Sequence, residues 1–338
     1  ANATFVCDNP FSAQVTLKNF GMSTLTSVTI NYKINNGAPV SQNWNGSLVQ
    51  NATANVVLNN ITPPGNGAFV LSVYTSNPNG MMDASPANDT SKANLQYLMS
   101  TNLPYAQDFA AGIPGNISIS DPSSDGFKWK YNPNVNGFGA ASGGGSLWLD
   151  NYNDNTSGTL DYAFLPNLSL AGQQNTQLQF DVAYAKYDDN NIDSLLVAVS
   201  SDCRNNFLAV YKKGGADLAT APDQTNLFIP TAMQWRTETI DLSAYDGNGN
   251  LSIVFINKGG WGQALYVDNI QINGVAVAAY QNLTSMQQFT NLPNAITNAN
   301  PGETIQQINN AVEFAPIELP LGYIFDFQQP YTLEIKIP

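Results

Sequence analysis

The chain has 338 residues, 43% hydrophobic and only 11% charged, and its 25 Asp and Glu against 12 Lys and Arg give a formal net charge of −13. That length suits two or three domains, and nucleic acid and anionic lipid are poor partners for so acidic a surface. Histidine is absent, which excludes a His-bearing zinc site, a Ser-His-Asp triad and a Cys-His dyad, leaving carboxylate acid/base work, hard-cation binding or hydrogen bonding to sugars and peptides.

In the first hundred residues, apolar and polar side chains alternate with a period of two, the mark of half-buried strands. Ala13, Val15 and Leu17 alternate with Gln14, Thr16 and Lys18. Val28, Ile30, Tyr32 and Ile34 alternate with Thr29, Asn31 and Lys33 ahead of the turn Asn35-Asn36-Gly37, and Phe69, Leu71 and Val73 repeat the pattern. Turn residues roughly every ten positions predict an Ig-like β-sandwich of about seven strands over residues 1–99. The turn-rich stretch 77–89 places a boundary near Ser100.

Residues 100–275 again read as all strand. Leu178, Phe180, Val182 and Tyr184 share one face, as do Leu195, Val197 and Val199, then Leu251, Ile253 and Phe255, and then Leu265, Val267 and the pair Ile270 and Ile272. Two packed sheets of this size suit a jelly roll. The glycine-rich stretch 137–145 fits neither a phosphate loop nor a dinucleotide turn and reads as a flexible surface loop. Residues 276–338 are expected to form a small Ig-like β domain, incomplete at its end. Ile305, Ile308 and Val312 have helical spacing there, but the Asn-Pro-Gly turn and the run 331–337 favour strands.

Cys7 and Cys203 are the only cysteines, so no metal-ligand cluster and no disulfide framework exist. One long-range disulfide is open to them. Falling in different predicted domains, they read instead as two unpaired thiols packed as small hydrophobes. No apolar run is long enough to cross a membrane, and the N-terminus lacks the regions of a signal peptide, so the chain reads as a mature or excised segment.

The runs at 193–203 (DSLLVAVSSDC), 213–220 (KGGADLAT), 235–238 (WRTE) and 265–270 (LYVDNI) occur in that order. Together they resemble the jelly-roll domain of secreted Bacteroidetes proteins, a group related to MAM and cleaved-adhesin domains. Asp108-Phe109 fits that family's opening strand, where Glu often follows; here Ala110 follows instead. Residues 5–98 resemble the CARDB-type Ig-like modules that precede such jelly rolls. The resemblance implies export, often by type IX secretion, and a non-catalytic accessory role within a large adhesin or behind a zinc peptidase.

Two oxygen clusters are candidate calcium sites. Asp150, Asn151 and Asp154, with Asp161 close behind, supply carboxylates and amides in one loop, though without the EF-hand spacing, and Asx-turns account for the same residues. Asp108 and Asp268 lie near the first and last jelly-roll strands, which are often neighbours, and the resemblance implies a structural calcium there. The acidic run 188–193 reads as a solvated hairpin tip. Glu238 is the only Glu within the jelly roll and cannot by itself make the carboxylate pair of a hydrolase, although an Asp is open to it as a partner. Trp44, Trp129, Trp148 and Trp235 read as core. Trp261, in Gly259-Gly260-Trp261-Gly262, reads as an exposed platform for a sugar ring.

The expectation is therefore an all-β, calcium-stabilised, secreted or cell-surface protein without enzymatic activity, acting in adhesion or substrate anchoring. Its partners would be an extracellular glycan, a protein surface or copies of itself, with no nucleic acid and no membrane insertion. Three alternatives stand beside this: the accessory C-terminal region of a secreted metallopeptidase, a carbohydrate-binding module, or a self-assembling surface subunit.

Overall fold

The computed structural model describes residues 4–83, 85–137, 144–155, 157–309, 324–328 and 332–336, the last two segments as backbone only. Contacts divide the chain into two compact units, Ala1–Ser100 and Thr101–Pro338. It is almost entirely β-structure.

The first unit contains β1 (Thr4–Val6), β2 (Phe11–Lys18), β3 (Leu25–Ile34), β4 (Val40–Leu48), β5 (Thr53–Ile61), β6 (Gly67–Ser76) and β7 (Thr90–Tyr97). Five of these form a sheet in the order β1-β7-β6-β3-β4, and β2 and β5 form a second. The period of two explains the layering. Val28, Ile30 and Tyr32 of β3 and Phe69, Leu71 and Val73 of β6 are buried against Phe11 and Leu17 of β2 and Val56 and Leu58 of β5. The alternate residues of β3, β6 and β7, among them Lys33, Ser72, Tyr74 and Lys92, occupy the other face of the larger sheet.

The second unit continues with β8 (Thr101–Asn102), β9 (Tyr105–Gln107), β10 (Ser118–Ser120), β11 (Lys130–Asn132), β12 (Ser146–Leu149), β13 (Ser157–Phe164), β14 (Leu168–Ser169), β15 (Gln173–Tyr184), β16 (Ser194–Ser200), β17 (Leu208–Gly214), β18 (Arg236–Asp241), β19 (Ser252–Gly260) and β20 (Leu265–Ala276). One sheet runs β10-β13-β19-β16-β17, and the other runs β11-β12-β20-β15-β18 with β9 beside β20. The four apolar rows read from the sequence all face the space between the sheets, where Phe180 of β15 meets Phe255 of β19 edge to face at 5.1 Å. The opening strand β9 lies along the last long strand β20, Tyr105 opposite Ile272. The break in period between Val267 and Ile270 is a β-bulge: the pairing of β15 with β20 shifts register there, and Asn269 has φ +49°.

Beyond β20 follow β21 (Tyr280–Asn282), β22 (Gln288–Phe289), α1 (Leu292–Thr297), β23 (Thr304–Gln307), β24 (Ile324–Gln328) and β25 (Thr332–Lys336), with the strands in one sheet, β22-β21-β23-β25-β24. Ile305 is buried in a strand, as the turn chemistry favoured, while Val312 lies outside the described residues. The short helix was not anticipated. Asn291 caps it through the Asn294 N–H at 2.9 Å, and Pro293 sits in its first turn.

Three expectations need correction. Neither cysteine is a free thiol; both are disulfide-bonded. Cys203 stands half-exposed in a turn with φ +60°, which offers no core to receive an apolar thiol. The glycine-rich stretch does not begin or end as a surface loop. Gly137 and Gly145 are buried, and a Cβ on Gly144 would stand 2.1 Å from the Ala110 Cα, so these glycines serve close packing; residues 138–143 lie outside the described set. Finally, the acidic run 188–193 is not uniformly solvated, because Asp193 is wholly buried.

Candidate functional site

Four connections gather at one end of the second unit's sandwich, because each joins a strand of one sheet to a strand of the other and the strands within each sheet end in register there. Leu149 of β12 and Tyr184 of β15 both oppose Leu265 of β20, while Gly260 of β19 opposes Ser157 of β13. The loops 150–155, 185–193 and 261–264 therefore lie side by side. The fourth connection, at 221–231, is pinned to them by Gln263, whose Nε2 donates to the carbonyls of Gln224 (2.8 Å) and Asn226 (2.7 Å) and whose Oε1 accepts from the Phe228 N–H (2.9 Å).

Asp193 organises this end. Its Oδ1 accepts from the N–H groups of Gly260 (2.7 Å) and Gly262 (3.3 Å), and its Oδ2 accepts from the N–H of Gln263 (2.6 Å) and the hydroxyl of Tyr184 (3.1 Å). Burial pushes the Asp193 carboxyl up to about 6, and these four donors restrain the rise. The glycines are required by contact: a Cβ at Gly260 would lie 2.1 Å from the Ile192 carbonyl oxygen, and one at Gly262 would lie 2.2 Å from Asp193 Oδ2. Between them Trp261 is held at φ +57°, a left-handed conformation unusual for a bulky residue, with its side chain 53% exposed. Trp129 and Trp235 are buried and Trp44 and Trp148 half-buried, so Trp261 alone of the five presents itself to solvent. In the neighbouring loops Tyr152 and Tyr187 pack ring against ring at 6.3 Å.

Behind the same loops lies a cluster of buried polar side chains. Asp161 of β13 stands directly opposite Asn257 of β19, and Asn257 forms a reciprocal amide pair with Asn151 (2.9 and 3.0 Å). Gly259 approaches both Asn151 and Asp154, which a Cβ there would meet at 3.5 and 3.7 Å. Asp161 is 1% exposed, and among the described residues neither of its carboxylate oxygens has a partner at full hydrogen-bond geometry. Burial first, and then the charges of Asp121 and Asp125, push its carboxyl up to about 7, with the adjacent Asn257 amide opposing this in part. Asp150, by contrast, closes an Asx-turn on Asn153.

Asp268 sits in the β20 bulge, opposite Asp181 of β15, and is wholly buried. The N–H groups of Gly137 (2.6 Å) and Asn269 (2.7 Å) donate to it, while Asp181 accepts from Thr237 Oγ1 (2.5 Å) and Asn269 Nδ2 (2.8 Å). Burial raises Asp268 to about 6, helped by the charges of Asp181 and Asp108, so the topology does bring Asp108 within electrostatic reach. Asp108 itself is exposed and accepts the N–H of Ala110 at 3.0 Å. The buried carboxylates here are satisfied by the protein, unlike Asp161. Among the described residues, no three carboxylate or thiolate side chains form a group that could hold a metal ion.

Glu238 is not poised for acid catalysis. Burial alone would raise its carboxyl, but Lys213 (2.7 Å) and Arg236 (2.7 Å) outweigh that and hold it low.

Sequence reasoning missed the roles of Asp193, Asp181 and the Asp161–Asn257 pair. The signal existed as parity. Asp193 shares the phase of Leu195, Val197 and Val199, and Asn257 shares that of Leu251, Ile253 and Phe255, so both had to point inward.

Residues 2–85 match the family model described as Cellulose binding domain, where the strand pattern had resembled a CARDB-type module. No curated protein matches the chain. Among solved structures, the chain is similar to the K1 cleaved adhesin domain of Lys-gingipain from Porphyromonas gingivalis W83, at 19% identity over 51% of this chain and 98% of that one, TM-score 0.38. The K3 cleaved adhesin domain of the same protein gives 19% identity, 51% and 99% coverage and TM-score 0.38. The CBM22-1 xylan-binding domain of Xyn10C from Paenibacillus barcinonensis gives 13% identity, 53% and 99% coverage and TM-score 0.33.

Proposed function

We propose that this chain is a non-catalytic, extracellular binding region that anchors a larger surface protein to carbohydrate, with Trp261 as the stacking platform of the second unit. The observation that carries this reading is the clamp on Trp261. A large aromatic ring is left in solvent, forfeiting its burial, on a backbone conformation that is itself unfavourable, and a buried carboxylate is committed to keeping it there. An exposed, pre-positioned indole suits the apolar face of a sugar ring, and the neighbouring Tyr152, Asn153 and Asn190 supply aromatic and amide surface. The match of residues 2–85 to a cellulose binding domain supports carbohydrate as the ligand class, and the disulfide-bonded cysteines support an oxidising, extracellular setting.

The same reading includes a structural calcium ion behind the loops. Asp161 fits one, because among the described residues its two buried oxygens have no partner at full hydrogen-bond geometry and a hard cation takes oxygen ligands. Asp161 and Asp154, with the side-chain oxygens of Asn151 or Asn257, would hold the ion, which would neutralise the buried charge and brace the loop carrying Trp261. The test of the binding reading is retention on a glycan array. Wild type is expected to be retained on at least one neutral oligosaccharide and Trp261→Ala to lose that retention by tenfold or more; unaltered retention of the variant removes the proposal.

A further inference from the structure

The two units differ in charge in a way the total conceals. Residues 1–100 contain Asp8, Asp83 and Asp89 and three lysines, Lys18, Lys33 and Lys92, and so carry no net charge; the whole −13 belongs to residues 101–338. Two of those lysines stand together. Lys33 of β3 and Lys92 of β7 both oppose Ser72 of the intervening strand β6, so their Cα atoms are about 10 Å apart across three strands and their side chains leave the same face. The next row in register is Asn31, Tyr74 and Thr90. Lys33, Ser72, Lys92, Tyr74 and Thr90, with Asn35, Asn36 and Val70, line a groove of about 760 Å³ on the sheet face turned away from the unit's core.

We infer that this groove is a second binding site, for a carboxylated polysaccharide of the polyuronate class. Neither Lys33 nor Lys92 makes an ion pair among the described residues, so both ammonium groups are available. The unit's acids lie elsewhere: Asp8 follows β1, and Asp83 and Asp89 precede β7, where Asp89 engages Thr75 on the opposite parity from Tyr74. The polar framework is already fixed. Asn31 donates to Ser76 Oγ (2.9 Å) and accepts from Ser41 Oγ (2.7 Å), and Asn35 Oδ1 accepts the Val70 N–H (2.8 Å).

Charge complementarity selects the ligand. Two unpaired point charges flank a row whose neighbour carries an aromatic ring at its centre, an arrangement that lets a sugar stack on Tyr74 while carboxylates on adjoining sugars reach Lys33 and Lys92. An acidic peptide would want a free strand edge or an apolar pocket, and these rows offer one tyrosine and one valine among hydroxyls, amides and lysines.

Affinity electrophoresis of the full chain in polygalacturonate gels tests this. Wild type is expected to be retarded, with retardation lost at about 1 M salt, where the Debye length falls to about 3 Å. Lys33→Gln/Lys92→Gln is expected to weaken binding at least tenfold with an unchanged melting temperature. Lys18→Gln, which removes one lysine charge from outside the groove, is expected to bind as wild type does. The inference is overturned if wild type is not retarded, if the double variant binds normally, or if Lys18→Gln weakens binding by as much per charge removed. Equal retardation by polyglutamate, or by dextran sulfate, overturns the uronate assignment.

Discussion

The two units bury their polar groups by different means. Among the described residues of 1–100 the buried polar side chains are Asn19, Asn31 and Ser72, all uncharged. In the second unit Asp154, Asp161, Asp181, Asp193, Glu238 and Asp268 are all buried. An amide can be satisfied inside a protein at any pH, whereas a carboxylate must be met by donors, a countercharge, a proton or a cation. Asp193, Asp181 and Asp268 are met by donors and Glu238 by countercharges; Asp161 is not. Within one chain, then, buried charge acts as a clamp where the fold supplies partners and as a candidate ion site where it does not.

The sharpest way to break this contrast is to remove the best-satisfied carboxylate. Asp193→Ala leaves three N–H groups and the Tyr184 hydroxyl without their acceptor, and should cost about 3–5 kcal/mol of the second unit's stability. Urea unfolding followed by hydrogen exchange should localise the loss to residues 101–338; a loss under about 1 kcal/mol would show that Asp193 is no clamp.

Calcium should separate the units next. At neutral pH, calcium at a hundredfold excess over its dissociation constant is expected to stabilise the second unit by about 2.7 kcal/mol. Excess EDTA should reverse this, and Asp161→Asn should abolish it. A melting temperature indifferent to calcium and EDTA removes the ion from the proposal.

In EDTA, pH becomes the probe. Asp161 is raised to about 7 and Asp193 and Asp268 to about 6 from an ordinary 3.8, so between those values the folded state binds more protons than the unfolded one. Their contribution is fully present below about pH 4 and is lost as pH rises through 6 and 7. The metal-free second unit should therefore gain on the order of 1–3 kcal/mol on moving from pH 7.5 to pH 5. The first unit has only Asp89 raised in this sense and should respond weakly. The opposite slope in the second unit, measured by thermal unfolding, would contradict the assignment of Asp161 as an unsatisfied buried carboxyl. Smallest of all should be the stability effect of Trp261→Ala, within about 0.5 kcal/mol, because the ring is largely in solvent. A larger loss would make Trp261 a packing residue rather than a platform.

Much of this was legible in the chain. Alternation over Val28 to Ile34 or Leu178 to Tyr184 fixes both strand and buried face, since a one-residue slip would turn every side chain over. Glycines around Trp261 marked it as exposed, and the lack of imidazole excluded whole chemistries. Less could be read of the carboxylates. Asp150 and Asp154 look alike in sequence, yet one closes a turn on Asn153 and the other is buried beside Gly259.

The sequence by itself determined the strands, their inward rows and the kinds of atoms available for binding, because these follow from local periodicity and composition. Only the tertiary structure decided which acids are clamps, that Asp161 faces Asn257 across two strands about a hundred residues apart, and that Lys33 and Lys92 share a groove. Solvation, partners and distance between remote strands arise from their pairing, and no local pattern encodes them.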